Sequence, residues 1–411
     1  MQNEVQIHEK LPLAQTIPLG LQHVFAMFGA TVLVPFLTGL SPSIALLSSG
    51  IGTLIFLILT QSKVPAYLGS SFAYIGTLTY FVKDQNDLGS AMGGVLIIGV
   101  IYLIMFLLMS FFGTAWIHKL VPPIVAGPVV AIIGFSLTPT AVGMASSNWY
   151  IAGFTLAMAL ILSVYAKGFV KLIPILLAII IGYIAAAVTG IVDFTPVAAS
   201  FQQLVVFPVN LKTYQFPSFD KTAILMMAPL AMVTIIEDLG HMIVLGNITH
   251  SEPIEDPGFH RVLAGNGLAT IAAGFLGGPP VTTYGENIGV LAVTRVYSTF
   301  NLWVAAIIAI VLSCFNPLQA LIMSIPTPVM GGVSILLFGM IGVAGIRTLI
   351  EAKVDLSDSK NLMIASVIFA LGIGITNHGV AWATIVGIIL NLVLGGLKAE
   401  EKDQVSGNKA A

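Results

Sequence analysis

Long apolar stretches follow one another through this sequence almost without a break, and they limit what it can fold into. Fourteen of them lie at about 17–38, 43–60, 64–81, 90–112, 120–140, 149–166, 171–191, 222–246, 260–276, 280–297, 300–314, 326–346, 361–376 and 378–397. A helix needs about 20 apolar residues to cross the hydrocarbon core of a bilayer. The pattern therefore predicts an all-α polytopic membrane protein with fourteen transmembrane spans, embedded in a lipid bilayer and without a soluble domain of ordinary size. Composition agrees, since only 8% of the 411 residues are charged, against roughly 25% in soluble domains. The first stretch lacks a small-residue cleavage site and is followed by further spans, so it does not read as a secretory signal.

Basic residues set the expected orientation. With the N-terminus inside, thirteen of the sixteen Lys and Arg residues fall on the inner side and only Lys83, Lys212 and Lys221 fall outside. Cytoplasmic loops carry such an excess, so both termini are expected in the cytoplasm, and the asymmetry supports the count of fourteen. The formal net charge is −2, and no basic tail points to nucleic acid. The single cysteine, Cys314, excludes an intrachain disulfide and any multi-cysteine metal motif. It reads as a helix-packing residue, and no metal or cofactor is expected.

The two halves of the chain resemble each other. Val121-Pro122-Pro123-Ile124-Val125-Ala126-Gly127 reads like Ile325-Pro326-Thr327-Pro328-Val329-Met330-Gly331, and Ser49-Gly50-Ile51-Gly52 like Ala264-Gly265-Asn266-Gly267. Pro65 leads to Gly69-Ser70-Ser71-Phe72 as Pro280 leads to Tyr284-Gly285-Glu286-Asn287, and Gln22-His23 in span 1 has Glu237 to His241 as its counterpart in span 8. Seven is an odd number, so two seven-span repeats enter the membrane from opposite sides. This inverted-repeat design places a substrate near the midplane, where broken helices meet. Spans 3 and 10 are the expected broken pair, with short extended segments at Ala66-Tyr67-Leu68 and Val281-Thr282-Thr283. Ser70 and Ser71 are the expected N-caps of one half-helix and Gly285 of the other. The polar segment from about 192 to 221 is expected to join the halves on the outside.

Three acids lie inside apolar stretches: Glu237, Asp238 and Glu286. A carboxylate at membrane depth costs about 2.5–3.5 kcal/mol or more, so it usually faces a cavity and marks a substrate or ion path. Glu237 and His241 share one helix face by their i, i+4 spacing, while Asp238 points about 100° away. Glu-Asp-Leu-Gly-His is not the His-Glu-x-x-His of a zinc protease, and a purely structural pair is the alternative to a proton-linked binding carboxylate. The latter reading gives Glu237 and His241 the proton coupling, with His241 holding Glu237 in position. Asp238 can be a second site acid or a helix–helix hydrogen-bond partner, and the structural role is favoured; Gln22 and His23 read as a scaffold for the broken helices. Phe72 and Tyr284 stand at the two half-helix starts, where they can stack on a flat ligand or simply pack. Half-helix N-termini offer unpaired N–H groups and positive dipole ends, and carboxylates accept N–H donors. A flat ligand alternating carbonyls with ring N–H groups, such as uracil or xanthine, fits both. No Ser/His nucleophile pattern is present, so an enzyme is not expected.

The stretch from Glu286-Asn287 through Gly289 to Thr294-Arg295 matches the signature of the nucleobase–ascorbate transporter family: Gln, Glu or Pro, then Asn-x-Gly, four residues, then Thr and Arg, Lys or Gly. Gln22-His23 matches the family's span-1 pair. The chain resembles this family from about residue 11 to 397, most closely its bacterial uracil branch. The resemblance implies two inverted seven-span repeats divided into a core domain (1–115 and 220–314) and a gate domain (116–219 and 315–411). It also implies a homodimer in the bacterial cytoplasmic membrane that imports its nucleobase by proton symport. Carried over by position, Glu237 and Glu286 bind the base N–H groups, and the backbone at Phe72 and Gly285 meets its carbonyls. Ser71 and Tyr284 complete the substrate site, with Gln22, His23, Asn287 and Asp238 in support. Purine-type members usually carry Gln where this chain has Glu286, which favours uracil over xanthine. One departure is Asp238, where uracil-type members can carry His. An anion carrier of the same architecture is the remaining alternative, and two acids at the site argue against it.

Overall fold

The computed structural model describes residues 4–113, 116–210, 214–375 and 378–407. Lys212, one of the three outer basic residues expected from sequence, lies outside these. Helices occupy the apolar stretches. They are α1 (Leu13–Thr38), α2 (Pro42–Leu59), α3 (Leu88–Phe112), α4 (Pro123–Ser146), α5 (Trp149–Tyr165), α6 (Pro174–Val188), α7 (Lys221–Thr249), α8 (Phe259–Leu276), α9 (Gly285–Thr294), α10 (Thr299–Ser313), α11 (Thr327–Glu351), α12 (Ser359–Gly374) and α13 (Gly379–Gly407). Six of these, α1, α2, α3, α4, α7 and α11, are long and apolar enough to cross a membrane. The apolar helices α5, α6, α10 and α12, with residues 379–394 of α13, are shorter.

The polar residues between apolar stretches start the helices. Asp87 accepts from Ser90 N (2.9 Å) at α3, and Asp220 accepts from Thr222 N (2.8 Å) and Ala223 N (3.0 Å) at α7. Asn148 does the same for α5, and Ser41 for α2. Each satisfies N–H groups that a helix start leaves without a partner. Proline stands in the first turn of α2, α4, α6 and α11, where its missing N–H costs nothing. The segment between α6 and α7 is pinned by Val206 N to Cys314 O (2.9 Å) and Ser218 N to Gly89 O (2.9 Å).

Two of the apolar stretches are not continuous helices. They contribute β1 (Leu68–Ser70) and β2 (Val281–Thr283), which pair antiparallel with Gly69 opposite Thr282. After β1 the chain makes a tight turn over Phe72–Tyr74 and a short helix from Ile75; after β2 it enters α9 directly. Strand β2 falls where the sequence placed it, whereas β1 begins at Leu68 rather than Ala66. The expected caps also differ. Ser71 precedes the first half-helix, but its side chain makes no capping bond, and Tyr284, not Gly285, is the N-cap of α9. The reason is that main-chain bonding continues past the strands, with Ser71 N on Pro280 O (2.9 Å) and Tyr284 N on Tyr67 O (3.0 Å). Both residues therefore stay extended.

Packing follows small residues. Helices α4 and α11 run against each other so closely that a Cβ on Gly134 would meet Phe338 O at 2.5 Å and collide with the backbone of Gly342. Helices α3 and α8 meet likewise, with Gly99 against Gly267 O. Such contacts let backbones approach where lipid supplies no hydrophobic drive between helices. Helices α1, α2, α3, α7, α8, α9 and α10 pack mainly on one another, and so do α4, α5, α6, α11, α12 and α13. The two sets touch chiefly where α7 meets α13 and α4, and where α1 meets α6.

Gly134→Ala is expected to lower the thermal unfolding midpoint of the detergent-purified protein, since overpacking costs about 1–3 kcal/mol. Gly143→Ala is the control, because nothing lies within 4 Å of the added methyl and alanine favours the helix. Equal midpoints for the two variants would refute the close seam between α4 and α11.

Candidate functional site

The strand crossing is the centre of the site, and hydroxyls of the flanking helices hold it. Ser49 Oγ on α2 donates to Leu68 O (2.6 Å), and Thr53 Oγ1 accepts from Leu68 N (3.0 Å). Thr270 on α8 stands over the main chain of Val281 in the same way, 3.3 Å from its O and 3.4 Å from its N. Backbone polar groups at this depth have no water to satisfy them, and a three-residue ladder leaves several to be paired.

Asp238 is the strongest of these ties. It is 0% exposed. Its Oδ2 accepts from Tyr102 Oη (2.9 Å) on α3 and Asn266 Nδ2 (2.7 Å) on α8. Its Oδ1 accepts from Thr282 Oγ1 (3.1 Å), Thr283 N (3.3 Å) and Thr283 Oγ1 (2.7 Å) on β2. A buried carboxylate is tolerable only when its oxygens are this fully bonded. Around it, Thr234 Oγ1 on α7 lies 2.9 Å from Tyr102 Oη and 3.2 Å from Tyr74 Oη. Asp238 thus bonds α7 to α3, α8 and β2. The sequence reading missed its partners Tyr102, Asn266, Thr282 and Thr283. Their signal was weak: each is a polar residue within an apolar stretch, but uncharged.

Glu237 and Glu286 are different. Both are exposed although their neighbours Asp238 and Asn287 are buried, and Glu237 enters none of the bonds that hold the crossing. Glu286 sits in the first turn of α9, where the half-helix's positive end suits a carboxylate. Gly285, just before it, is also exposed. His241 does not orient Glu237, contrary to expectation. Its Nδ1 is bonded instead to Thr283 Oγ1 (2.8 Å), and its Nε2 lies 3.4 Å from where a Cβ on Gly285 would stand. No hydrogen bond or ion pair joins His241 to Glu237 among the described residues.

Other expected site residues divide by burial. Phe72 is half-buried and, with Ala73, Thr77, Asp84, Ser136 and Thr140, borders a cavity of about 340 Å³. The two glutamates do not line that cavity. Of the two readings left open for Tyr284, the structure shows packing. Its ring lies across Gly69, where any Cβ would strike it, and its hydroxyl donates to Ser70 O (2.9 Å). Ser71 is buried as well, so neither side chain faces open space. His23 and Asn287 meet as scaffold, with Asn287 Nδ2 on His23 O (3.0 Å) and 3.2 Å from His23 Nδ1. This ties α9 to α1. Gln22 Oε1 is buried and without a protein partner. Among the described residues no group of three or more His, Cys, Asp or Glu is arranged to hold a metal.

Asp238→Asn is expected to destabilise the protein, because the amide turns one acceptor oxygen into a donor facing donors. Each hydrogen bond lost to a charged group costs about 1.5–3 kcal/mol. The check is the unfolding midpoint in detergent, and a midpoint equal to wild type would remove Asp238 from the centre of the structure.

A family profile for xanthine and uracil permeases, described as "Permease family", matches residues 14–381. The uracil permease of Bacillus caldolyticus is 45% identical over 95% of this chain and 95% of its own length. The uracil permease of Escherichia coli (strain K12) is 44% identical over 95% of this chain and 93% of its own length. Among solved structures, the transmembrane domain of the cyanobacterial bicarbonate transporter BicA superposes with a TM-score of 0.62 at 15% identity, covering 94% of this chain and all of that one. The murine anion transporter Slc26a9, in an inward-facing state, gives a TM-score of 0.67 at 10% identity over 95% of this chain and 70% of that one. The structural likeness establishes a shared helical transporter fold, while the sequence likeness covers nearly the whole chain. This chain is a multi-pass membrane protein that belongs to the Permease family of xanthine and uracil permeases, the nucleobase–ascorbate transporter family.

Proposed function

We propose that this protein imports uracil by proton symport across the bacterial cytoplasmic membrane. The observation that carries the reading is the pair of exposed glutamates, Glu237 and Glu286, beside the exposed start of α9 at Gly285. Two carboxylates accept ring N–H groups, and half-helix N–H groups donate to carbonyls. Uracil presents both along one flat edge. Phe72, at the start of the other half-helix, is assigned the aromatic contact with the ligand, although the cavity it borders is not lined by the glutamates. Relatives named uracil permeases, at 44–45% identity, support the same ligand. An anion would meet two carboxylates here, which disfavours the anion-carrier reading.

The proposed architecture is fourteen spans in two inverted repeats with both termini in the cytoplasm. The antiparallel pairing of β1 with β2 supports it, as do the proline starts of both α4 and α11. The proposed core domain comprises residues 1–115 and 220–314, and the gate domain 116–219 and 315–411. The packing of helices in two sets supports this division. A homodimer completes the proposal.

Proton and substrate are divided between the acids. Glu286 has the dipole of α9 to favour its role as a carboxylate toward substrate. Glu237, in the middle of α7, lacks that help and is the proton carrier, with His241 one turn on to receive the proton.

Uptake of radiolabelled uracil is expected to rise as external pH falls and to collapse with a protonophore. Uptake driven equally well by a sodium gradient at fixed pH would sink the proton claim, and preference for xanthine in competition would sink the uracil claim. Glu237→Gln is expected to abolish accumulation against a gradient. Glu286→Gln is expected to weaken uracil binding roughly tenfold to over a hundredfold, the effect of losing one charge-assisted hydrogen bond. A Glu237→Gln protein that still concentrates uracil under an imposed proton gradient would pass the coupling role to another group.

A further inference from the structure

Thr283 is used by nothing in the proposed function, yet among the described residues its hydroxyl joins the buried acid of α7 to the histidine of the same helix. It lies 2.7 Å from Asp238 Oδ1 and 2.8 Å from His241 Nδ1. A threonine hydroxyl has one proton to give and lone pairs to receive. Every other partner of Asp238 is a donor: Tyr102, Asn266, Thr282 and the Thr283 N–H. Asp238 in that setting is an acceptor, so the Thr283 proton points to it. The hydroxyl must then receive from His241, which places the imidazole proton on Nδ1. That leaves Nε2 as the bare nitrogen, and Nε2 is the atom that faces Gly285 at the start of α9. The tautomer of a histidine is set by the bond its other nitrogen makes, and here the bond is made by a strand residue of the broken span.

We propose that Thr283 is a positioning residue that locks His241 in the Nδ1–H tautomer and links it to Asp238. The inference rests on the proposed transport function for its consequence but not for its geometry. Nε2 is then ready to accept, either from a ring N–H of the substrate or from the proton that Glu237 carries. In the second case the O–H bond of the Glu237 acid breaks and an Nε2–H bond forms. The products are a carboxylate and an imidazolium whose Nδ1–H already points through Thr283 toward Asp238. Thr283 sits on β2, so any change in the strand crossing alters the basicity of Nε2 at the same moment as it alters the half-helix start beside it.

The test uses the full chain purified with ¹⁵N-labelled histidine, whose two ring nitrogens report the tautomer directly by NMR. His241→Gln assigns the signal among the seven histidines. Wild type is expected to show Nδ1–H at His241, and Thr283→Ser to keep it. Thr283→Val keeps the backbone bond to Asp238 but has no hydroxyl. It is expected to release His241 to the Nε2–H form or to an exchanging mixture. In proteoliposomes the same variant is expected to lose about tenfold or more of proton-driven uptake, the scale of one bond to a charged group. Thr283→Ser is expected to restore it. Thr283→Ala replaces the valine variant if that does not fold, and the wild-type tautomer needs no variant.

An Nε2–H tautomer in wild type would overturn the proposal, and so would Nδ1–H persisting in Thr283→Val. Uptake as poor in Thr283→Ser as in Thr283→Val would also overturn it, since the hydroxyl would then not be what matters. Wild-type protein that binds uracil but never accumulates it under a proton gradient would refute symport alone, leaving the tautomer to decide the role of Thr283.

Discussion

The whole site hangs on one buried carboxylate. Asp238 brings α3, α7, α8 and β2 to a single point, and two of those elements, α3 and α7, are long and apolar enough to cross a membrane, where a lone charge is costly. Two strands of three residues have no independent stability. They persist because helices on either side bond their main chain, Ser49 and Thr53 on β1 and Thr270 and Asp238 on β2. Without those partners the broken spans would present unpaired N–H and C=O groups to a medium that cannot satisfy them. The carboxylate is in turn tolerable because the strand supplies its donors. Neither the charge nor the break in the helix is sustainable alone, and each removes the other's cost.

That mutual dependence explains why adjacent acids have opposite environments. Asp238 points into the helix contacts and is sealed; Glu237, the next residue, points away and is exposed. A helix turns by about 100° per residue, so one step along α7 separates a structural group from a group free to meet a ligand. Glu286 reaches the same region from α9, and its neighbour Asn287 is turned back onto His23. Thus each half of the site carries one anchored and one available polar side chain in succession. The anchors hold α7 and α9 in place, and the available acids need no bonds of their own to be positioned.

Much of this was legible in the sequence, and the unread part has a common cause. Hydropathy located most helix ends to within about five residues, because apolar length is a local property, but α4 runs to Ser146 and α13 to Gly407, beyond the expected ends at 140 and 397. The three acids stood out because a charge in an apolar run demands a reason. Strand β2 was readable from Gly277-Gly278-Pro279-Pro280 before it, while β1 was placed two residues early, since Pro65 marks a break but not the register with a partner over 200 residues away. The partners of Asp238 were not readable. Tyr102 and Asn266 are 136 and 28 residues from it in sequence, and an uncharged polar residue in an apolar helix has many uses. Tyr284 was left open between stacking and packing for a related reason. An aromatic at a half-helix start is as well placed to pack across a glycine as to stack on a ligand, and only the ring's position over Gly69 decides it.

The distribution of these contacts bears on how such a site moves. Every element that builds the crossing, α1, α2, α3, α7, α8, α9 and both strands, packs within one set of helices. The glycine seam between α4 and α11 lies wholly in the other. On the proposed division into core and gate, alternate access requires one set to shift against the other, and close-packed interiors resist being deformed piecemeal. The bonds around Asp238 lie entirely inside one set, so they need not break as the sets slide, and the half-helix starts travel with the glutamates beside them. Phe72 is the exception in kind: it begins a half-helix of the first set but borders a cavity with Ser136 and Thr140 of α4. A side chain in that position changes its surroundings whenever the sets shift, while Asp238 keeps its own. On that proposed division, the aromatic at the seam is the side chain whose surroundings would change, and the buried acid the one whose surroundings would stay constant.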